Sequence, residues 1–272
     1  MTLHESGLTH LASLLGGLAV LAGGFIALWL ASLPLRDASL VDRVWGLAFI
    51  VLAAWYAWAR PAGEIPIAGQ LLLLLATIWG LRLSIHLTRR NWGKGEDYRY
   101  AAMRARQGPR FGLVSLGTVF LLQAGLVWVI GMPLYAGIRG AAPGGMVTWV
   151  VMVAGVAFWI VGFGFETVGD WQLARHRADP TRRGRVLDTG VWRYTRHPNY
   201  FGDAMVWWGL WLIAAAAGGA WTVFAPALMT LFLMRVSGVA LLEKQLLETR
   251  PGYRDYVVRT NAFFPWFPRP SR

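Results

Sequence analysis

Between Tyr194 and Asp203 the chain reads YTRHPNYFGD, and an apolar run, AMVWWGLWLIAAAA, follows at once. Tyr194, Arg196, His197, Asn199 and Asp203 thus crowd against the start of a segment suited to a membrane interior. Guanidinium groups bind oxyanions bidentately, so Arg196 points to phosphate. Asn199 and the carboxylates can take ribose hydroxyls or an amide. Other ionisable residues also interrupt apolar runs: Asp42, Arg43, Arg82, His86, Glu166, Asp170, Arg235 and Glu243. Each costs roughly 2.5–3.5 kcal/mol to insert, and such residues usually face a bundle interior and mark a functional cavity. Arg82/His86 and Glu166/Asp170 are spaced i, i+4, so each pair shares a helix face. A cluster holding both signs can pair its buried charges. The plainer reading, salt bridges at helix ends and snorkelling arginines, accounts for single members better than for the set. A cytoplasm-facing site for a phosphate-bearing nucleotide accounts for the set.

The elements that position these residues are transmembrane helices. Of the 272 residues 56% are hydrophobic and only 15% charged, well below the roughly 25% of a soluble domain. Apolar runs approach the roughly 20 residues needed to cross a bilayer. The expected fold is all-α, a bundle of seven spans near 8–33, 41–59, 66–88, 111–138, 146–169, 204–217 and 220–242. The first run has no basic residue ahead of it and no cleavage site, so it reads as a retained span.

Lysine and arginine alternate across the connections. Seven fall from Arg89 to Arg110, seven from Arg175 to Arg196 and six from Lys244 to Arg272, against Arg60 and Arg139 in the opposite loops. By the positive-inside rule the N-terminus lies outside and the C-terminus in the cytoplasm. Asp42, His86, Asp170, Asp203 and Glu243 then sit near the inner boundary, with Glu166, Arg82 and Arg235 deeper. The net charge of +12 reflects topology and attraction to anionic lipid, not nucleic-acid binding. No repeat or linker divides the chain, so a single domain over 1–272 is expected, with substrate-side helices in 8–138 and mainly cofactor-binding helices and loops in 139–272.

Several chemistries are excluded or unsupported. The absence of cysteine removes disulfides, thiolate nucleophiles and Cys-ligated metals. The five histidines show no ligand spacing, so no metal is expected. Neither a G-x-G-x-x-G nor a P-loop is present, and no serine has a G-x-S-x-G frame.

DTGVWRYTRHPNYFGDAMVWWGLWL (188–212) and SGVALLEKQLLETRPGYRDYVVRTNAFFPWFP (237–268), with VDRVWG, LRLSIHLTRR and EDYRY upstream, resemble the bacterial relatives of steroid 5-alpha-reductases. The resemblance covers nearly the whole chain. R-H-P-N-Y also occurs in membrane sterol reductases and isoprenylcysteine-type methyltransferases. The resemblance implies an integral protein of the bacterial inner membrane, a monomer whose NADPH cavity opens to the cytoplasm. It implies cofactor contacts from Asp170, Arg177, Tyr194, Arg196, His197, Asn199, Asp203, Trp207 and Arg235, with Arg90 and Glu243 fitting at looser spacing.

In those reductases hydride passes to the beta carbon of a conjugated enone, and an acid–hydroxyl pair polarises the carbonyl, as a preorganised donor should. The present sequence departs from the pattern. Asp42 stands for the family's glutamate, while Trp79 occupies the tyrosine's place. His86, Tyr56 and Tyr98 are the candidate replacements, so Asp42, His86 and Tyr56 are the expected catalytic set. The implied activity is NADPH-dependent reduction of a lipophilic enone such as a 3-oxo-4-ene steroid, with membrane lipid as the only other partner. The alternative is an S-adenosylmethionine-dependent methyltransferase of a lipid or lipid-linked thiol.

Overall fold

A computed structural model describes residues 3–60, 63–141, 144–236 and 239–270. Among them every regular element is helical. Twelve α-helices follow in order: α1 (Leu3–Leu35), α2 (Leu40–Trp58), α3 (Ile67–Asn91), α4 (Tyr98–Gln107), α5 (Phe111–Ser115), α6 (Leu122–Ile130), α7 (Met132–Arg139), α8 (Met146–Ala178), α9 (Pro198–Ala214), α10 (Phe224–Leu231), α11 (Val239–Thr249) and α12 (Tyr253–Arg259).

Among the described residues six helices are long and apolar enough to cross a membrane: Gly7–Leu35, Leu40–Trp58, Ile67–Asn91, Tyr98–Ile130, Met146–Ala178 and Pro198–Arg235. The protein is therefore an all-α integral membrane protein. The sequence predicts seven spans because it divides the last of these runs in two, and the run is indeed not straight. Ala217 and Gly218 leave helical geometry, Gly218 at φ 92°, where glycine carries no steric cost. Trp208 Nε1 then donates to Thr230 Oγ1 at 3.1 Å. In a straight helix those residues would stand about 33 Å apart. The run is a hairpin, with α9 and α10 as its arms.

Two connections differ from expectation. The polar stretch 89–110 contains α4, because YRYAAMRARQ is rich in good helix formers; α4 ends at Gly108, at φ 55°, and a short 3-10 turn leads into α5. Likewise α8 continues nine residues beyond the apolar limit at 169, through DWQLARHRA. The long second connection is correspondingly shorter. It ends at Pro198, the first residue of α9, a position where the missing N–H costs nothing.

The chain divides into two compact units, Met1–Trp149 with Ile213–Thr222, and Val150–Leu212 with Val223–Arg272. In the first, α2 and α3 cross at Gly46 and Gly80, where a Cβ on Gly80 would lie 2.5 Å from the Gly46 carbonyl oxygen. In the second, α8 and α9 meet through glycines seven residues apart on each helix. A Cβ on Gly162 would stand 2.6 Å from the Gly202 oxygen, and one on Gly209 would stand 2.6 Å from the Gly155 oxygen. Small residues let helices pack backbone to backbone where no hydrophobic force drives them together.

Candidate functional site

The R-H-P-N-Y stretch lies in the second unit, and the α8–α9 contact positions its far end. Gly169 approaches Pro198 and the Asn199 amide. Asn199 Nδ2 consequently reaches Asp170, donating to Oδ1 at 3.2 Å. Asp170 and Glu166 are buried on one face of α8. Asn199, Asp203 and Trp207 fall at i, i+4 and i+8 along α9 and so share a face; Trp207 is fully buried. The structure thus brings Asp170, Asn199, Asp203 and Trp207 onto facing or continuous surfaces.

The near end of the stretch is held by the C-terminal tail. Thr195 Oγ1 donates to the Phe263 oxygen at 2.9 Å, and the Arg196 amide donates to the Asn261 oxygen at 2.9 Å. Tyr256 Oη donates to the Trp192 oxygen, and the Trp266 amide to the Tyr194 oxygen. Arg196, expected to bind phosphate, is buried and engaged by the protein. Its Nε and Nη2 donate to the two oxygens of Glu243 at 2.7 and 3.0 Å. Its Nη1 donates to the carbonyls of Val257 and Thr260 at the end of α12, where a cation also complements the helix dipole. His197 Nε2 donates to Glu243 at 3.2 Å and its ring stacks on Tyr200.

Burial opposes ionisation of Glu243, but the hydrogen bonds and charges of His197 and Arg196 outweigh it and pull its pKa down to about 2. Arg196, His197 and Glu243 therefore form a clamp that fixes the tail on the loop. Arg177 and Arg235 are exposed, although Arg235 is expected deep in a span; Tyr194 is partly exposed.

The first unit holds the expected catalytic residues, with Arg90 exposed in the last turn of α3. Asp42 is in the first turn of α2, one turn before Gly46. His86, half-buried, follows Gly80 by six residues. In the antiparallel α2–α3 pair these positions are level. Tyr56 does not join them. It is fourteen residues along α2 from Asp42, about 21 Å, and packs its ring on Tyr135 at 5.1 Å.

The hydroxyl beside Asp42 is instead Tyr100, whose Oη donates to Asp42 Oδ1 at 2.8 Å. Arg99 Nη2 donates to Asp42 Oδ2 at 2.7 Å, and Asp97 caps α4 by accepting from the Arg99 amide. Glu96 accepts from Arg104 and from the Ala38 amide; these contacts outweigh its burial and hold its carboxyl below the usual range. Tyr98, the sequence-based candidate from the same EDYRY segment, is exposed, whereas Tyr100 is buried. Trp79 is fully buried against Phe49.

Comparison with known proteins gives a family and a relative. A family model described as "Protein of unknown function (DUF1295)" matches residues 28–260. An uncharacterized protein of Schizosaccharomyces pombe is 25% identical over 270 residues, spanning 88% of this chain and 75% of its own. No solved structure matches. The family match runs from the second half of α1 through α12 and takes in both the Asp42–Tyr100 pair and the Arg196–Glu243 clamp, so the chain belongs to the DUF1295 family of membrane proteins.

Proposed function

We propose that the protein is a membrane-embedded, NADPH-dependent reductase that delivers hydride to the C=C bond of a lipophilic enone, such as a 3-oxo-4-ene steroid. The observation that carries this reading is the hydrogen bond from Tyr100 to Asp42, an acid–hydroxyl pair of the kind that the resemblance to steroid 5-alpha-reductases requires, with Tyr100 in the role for which the sequence offers His86, Tyr56 and Tyr98. As hydride adds to the beta carbon, the acceptor's carbonyl oxygen gains charge. In this structure Tyr100 gives its one O–H to Asp42; turned from Asp42 to the acceptor's oxygen, the same hydroxyl would donate a hydrogen bond there, and such a donor in a dry site is worth several kcal/mol of barrier. The alpha carbon takes its proton from solvent to complete the saturated ketone.

The donor set of the second unit fits a dinucleotide phosphate. Arg177, Arg193 and Arg235 expose guanidinium groups suited to phosphates, while Asn199 and Asp170 offer amide and carboxylate groups for ribose or carboxamide. Bound NADPH would supply the hydride; the chain's own part is to hold and orient it. The hairpin arms α9 and α10 act as the sixth and seventh passes in this reading. The N-terminus is then outside, the C-terminus and site face the cytoplasm, and the protein works as a monomer on a membrane-dissolved substrate.

One observation favours a second reading. Arg196 is fully engaged by Glu243 and α12, so the site has one phosphate-binding arginine fewer than its sequence promises. A methyltransferase using S-adenosylmethionine needs fewer. Thermal stabilisation of the detergent-purified protein by NADPH, NADH and S-adenosylmethionine, measured side by side, separates the two. A ligand at a hundred times its Kd adds about 2.7 kcal/mol. Stabilisation by NADPH alone supports the reductase; stabilisation by S-adenosylmethionine alone replaces it.

A further inference from the structure

The first unit contains a cavity of about 430 Å³ at the end of α2 remote from Asp42. Its lining includes His10 and Leu14 of α1, Tyr135 and Arg139 of α7, Gly140, and Trp221 beyond the hairpin tip. Three polar side chains converge there. His10 Nδ1 and Tyr135 Oη are hydrogen-bonded at 2.6 Å, and the Arg139 guanidinium sits 5.7 Å from the Tyr135 ring centre. Arg139 Nη1 donates to the Ala59 oxygen at 2.8 Å, whereas its Nε is buried without a hydrogen-bond partner. Among the described residues no carboxylate lines the cavity or pairs with Arg139.

A half-buried guanidinium beside a phenol, with an imidazole in the same lining and a volume within the usual range for small-molecule sites, selects an oxyanion. The remaining walls are apolar, from Leu14, Ala136, Ala217 and Trp221. We infer that this cavity binds an amphiphile with a single oxyanion head, either a carboxylate or a phosphodiester, on an apolar body. Arg139 holds the head, His10 and Tyr135 complete its hydrogen bonding, and the body lies against Leu14 and Trp221. The site is separate from Asp42 and Tyr100, because Tyr56, packed on Tyr135, is about 21 Å along α2 from Asp42. It does not rest on the reductase reading.

The probes are decanoate for a free lipophilic acid and dihexanoyl phosphatidylglycerol for a lipid headgroup. Decanol and dihexanoyl phosphatidylcholine are the controls. Binding is measured by equilibrium dialysis of the full-length protein in detergent against a micelle blank, without nucleotide or enone present. Saturable binding of one anion per chain is expected. Decanoate alone identifies a free acid, phosphatidylglycerol alone a lipid, and either result upholds the site. Arg139→Gln should weaken binding at least ten-fold and His10→Gln a few-fold. His10 is exposed on α1, so its variant keeps the test open if Arg139→Gln unfolds. Equal binding of decanol, unchanged affinity in both variants, or no saturable binding of either anion overturns the inference.

Discussion

Arg196 grips both carboxylate oxygens of Glu243, forty-seven residues away, while a third donor reaches the carbonyl end of α12. One side chain thereby joins the loop before α9 to α11 and α12. The arginine of R-H-P therefore holds the fold of the second unit.

Removing one partner of this pair leaves the other buried and uncompensated, a loss of about 3–5 kcal/mol. Arg196→Ala and Glu243→Ala should each lower the melting temperature and expose the tail to protease, with nucleotide binding falling in step with folding. If Arg196→Ala melts like the wild type yet loses NADPH, the arginine is a phosphate ligand after all.

The same clamp sets an acid limit. Glu243 titrates at about 2 in the folded protein against an ordinary 4.5. A depressed carboxyl contributes stability that is fully present above its unfolded pKa and is lost as pH falls through its folded one. Melting temperature should therefore drop between about pH 4.5 and 2 in the wild type, and the slope in that window should be shallower in Glu243→Gln. Parallel curves for the two proteins would remove Glu243 from the acid response.

Asp42 and Tyr100 make a sharper test of chemistry. Asp42→Asn and Tyr100→Phe should each cost about a hundred-fold or more in enone reduction, the scale of losing a preorganised donor, while stabilisation by NADPH persists. Tyr98→Phe, an exposed neighbour, should leave turnover unchanged. Full activity in Tyr100→Phe would return the hydroxyl's role to another residue.

How far these residues could be read from sequence depends on the range of the contacts. The apolar runs and Pro198 mark most helix positions, because hydropathy and the proline ring act locally. Hydropathy stops α8 at 169, whereas Gln, Leu, Ala and Arg continue the helix. Sequence offers Tyr98 and not Tyr100, since choosing between them needs the phase of α4 and its return to α2, fifty-eight residues away. In sequence Arg196 stands apart from its partners, because Glu243, Val257 and Thr260 arrive with the tail. The glycine pattern is legible in the sequence: Gly155, Gly162 and Gly169 repeat every seven residues, as do Gly202 and Gly209.

Asn199→Ala and Arg235→Ala test the cofactor assignment itself. Asn199 donates to Asp170, and Arg235 is exposed, so neither change removes packing from the core. Each should weaken NADPH by about ten-fold, roughly 1.4 kcal/mol, in a protein that still melts cooperatively. Unchanged affinity in both would move the nucleotide elsewhere.

The glycines let backbone contact be weighed against helix propensity in one experiment. Gly202 faces the Glu166 amide and the Gly162 carbonyl so closely that an added Cβ overlaps backbone atoms. Backbone in a packed helix pair cannot yield as a flexible side chain does, so Gly202→Val should cost about 1–3 kcal/mol or more by overpacking. It should also pull Asn199 from Asp170, weakening nucleotide binding together with stability. Gly164 is also on α8, but nothing lies within 4 Å of its Cβ position. There alanine gains helix propensity, up to about 1 kcal/mol, and Gly164→Ala should melt at or above the wild-type temperature. Melting curves of the three proteins decide the matter. If Gly202→Val and Gly164→Ala melt alike, the α8–α9 contact does not set the position of Asn199, and the seven-residue glycine spacing has no structural role there.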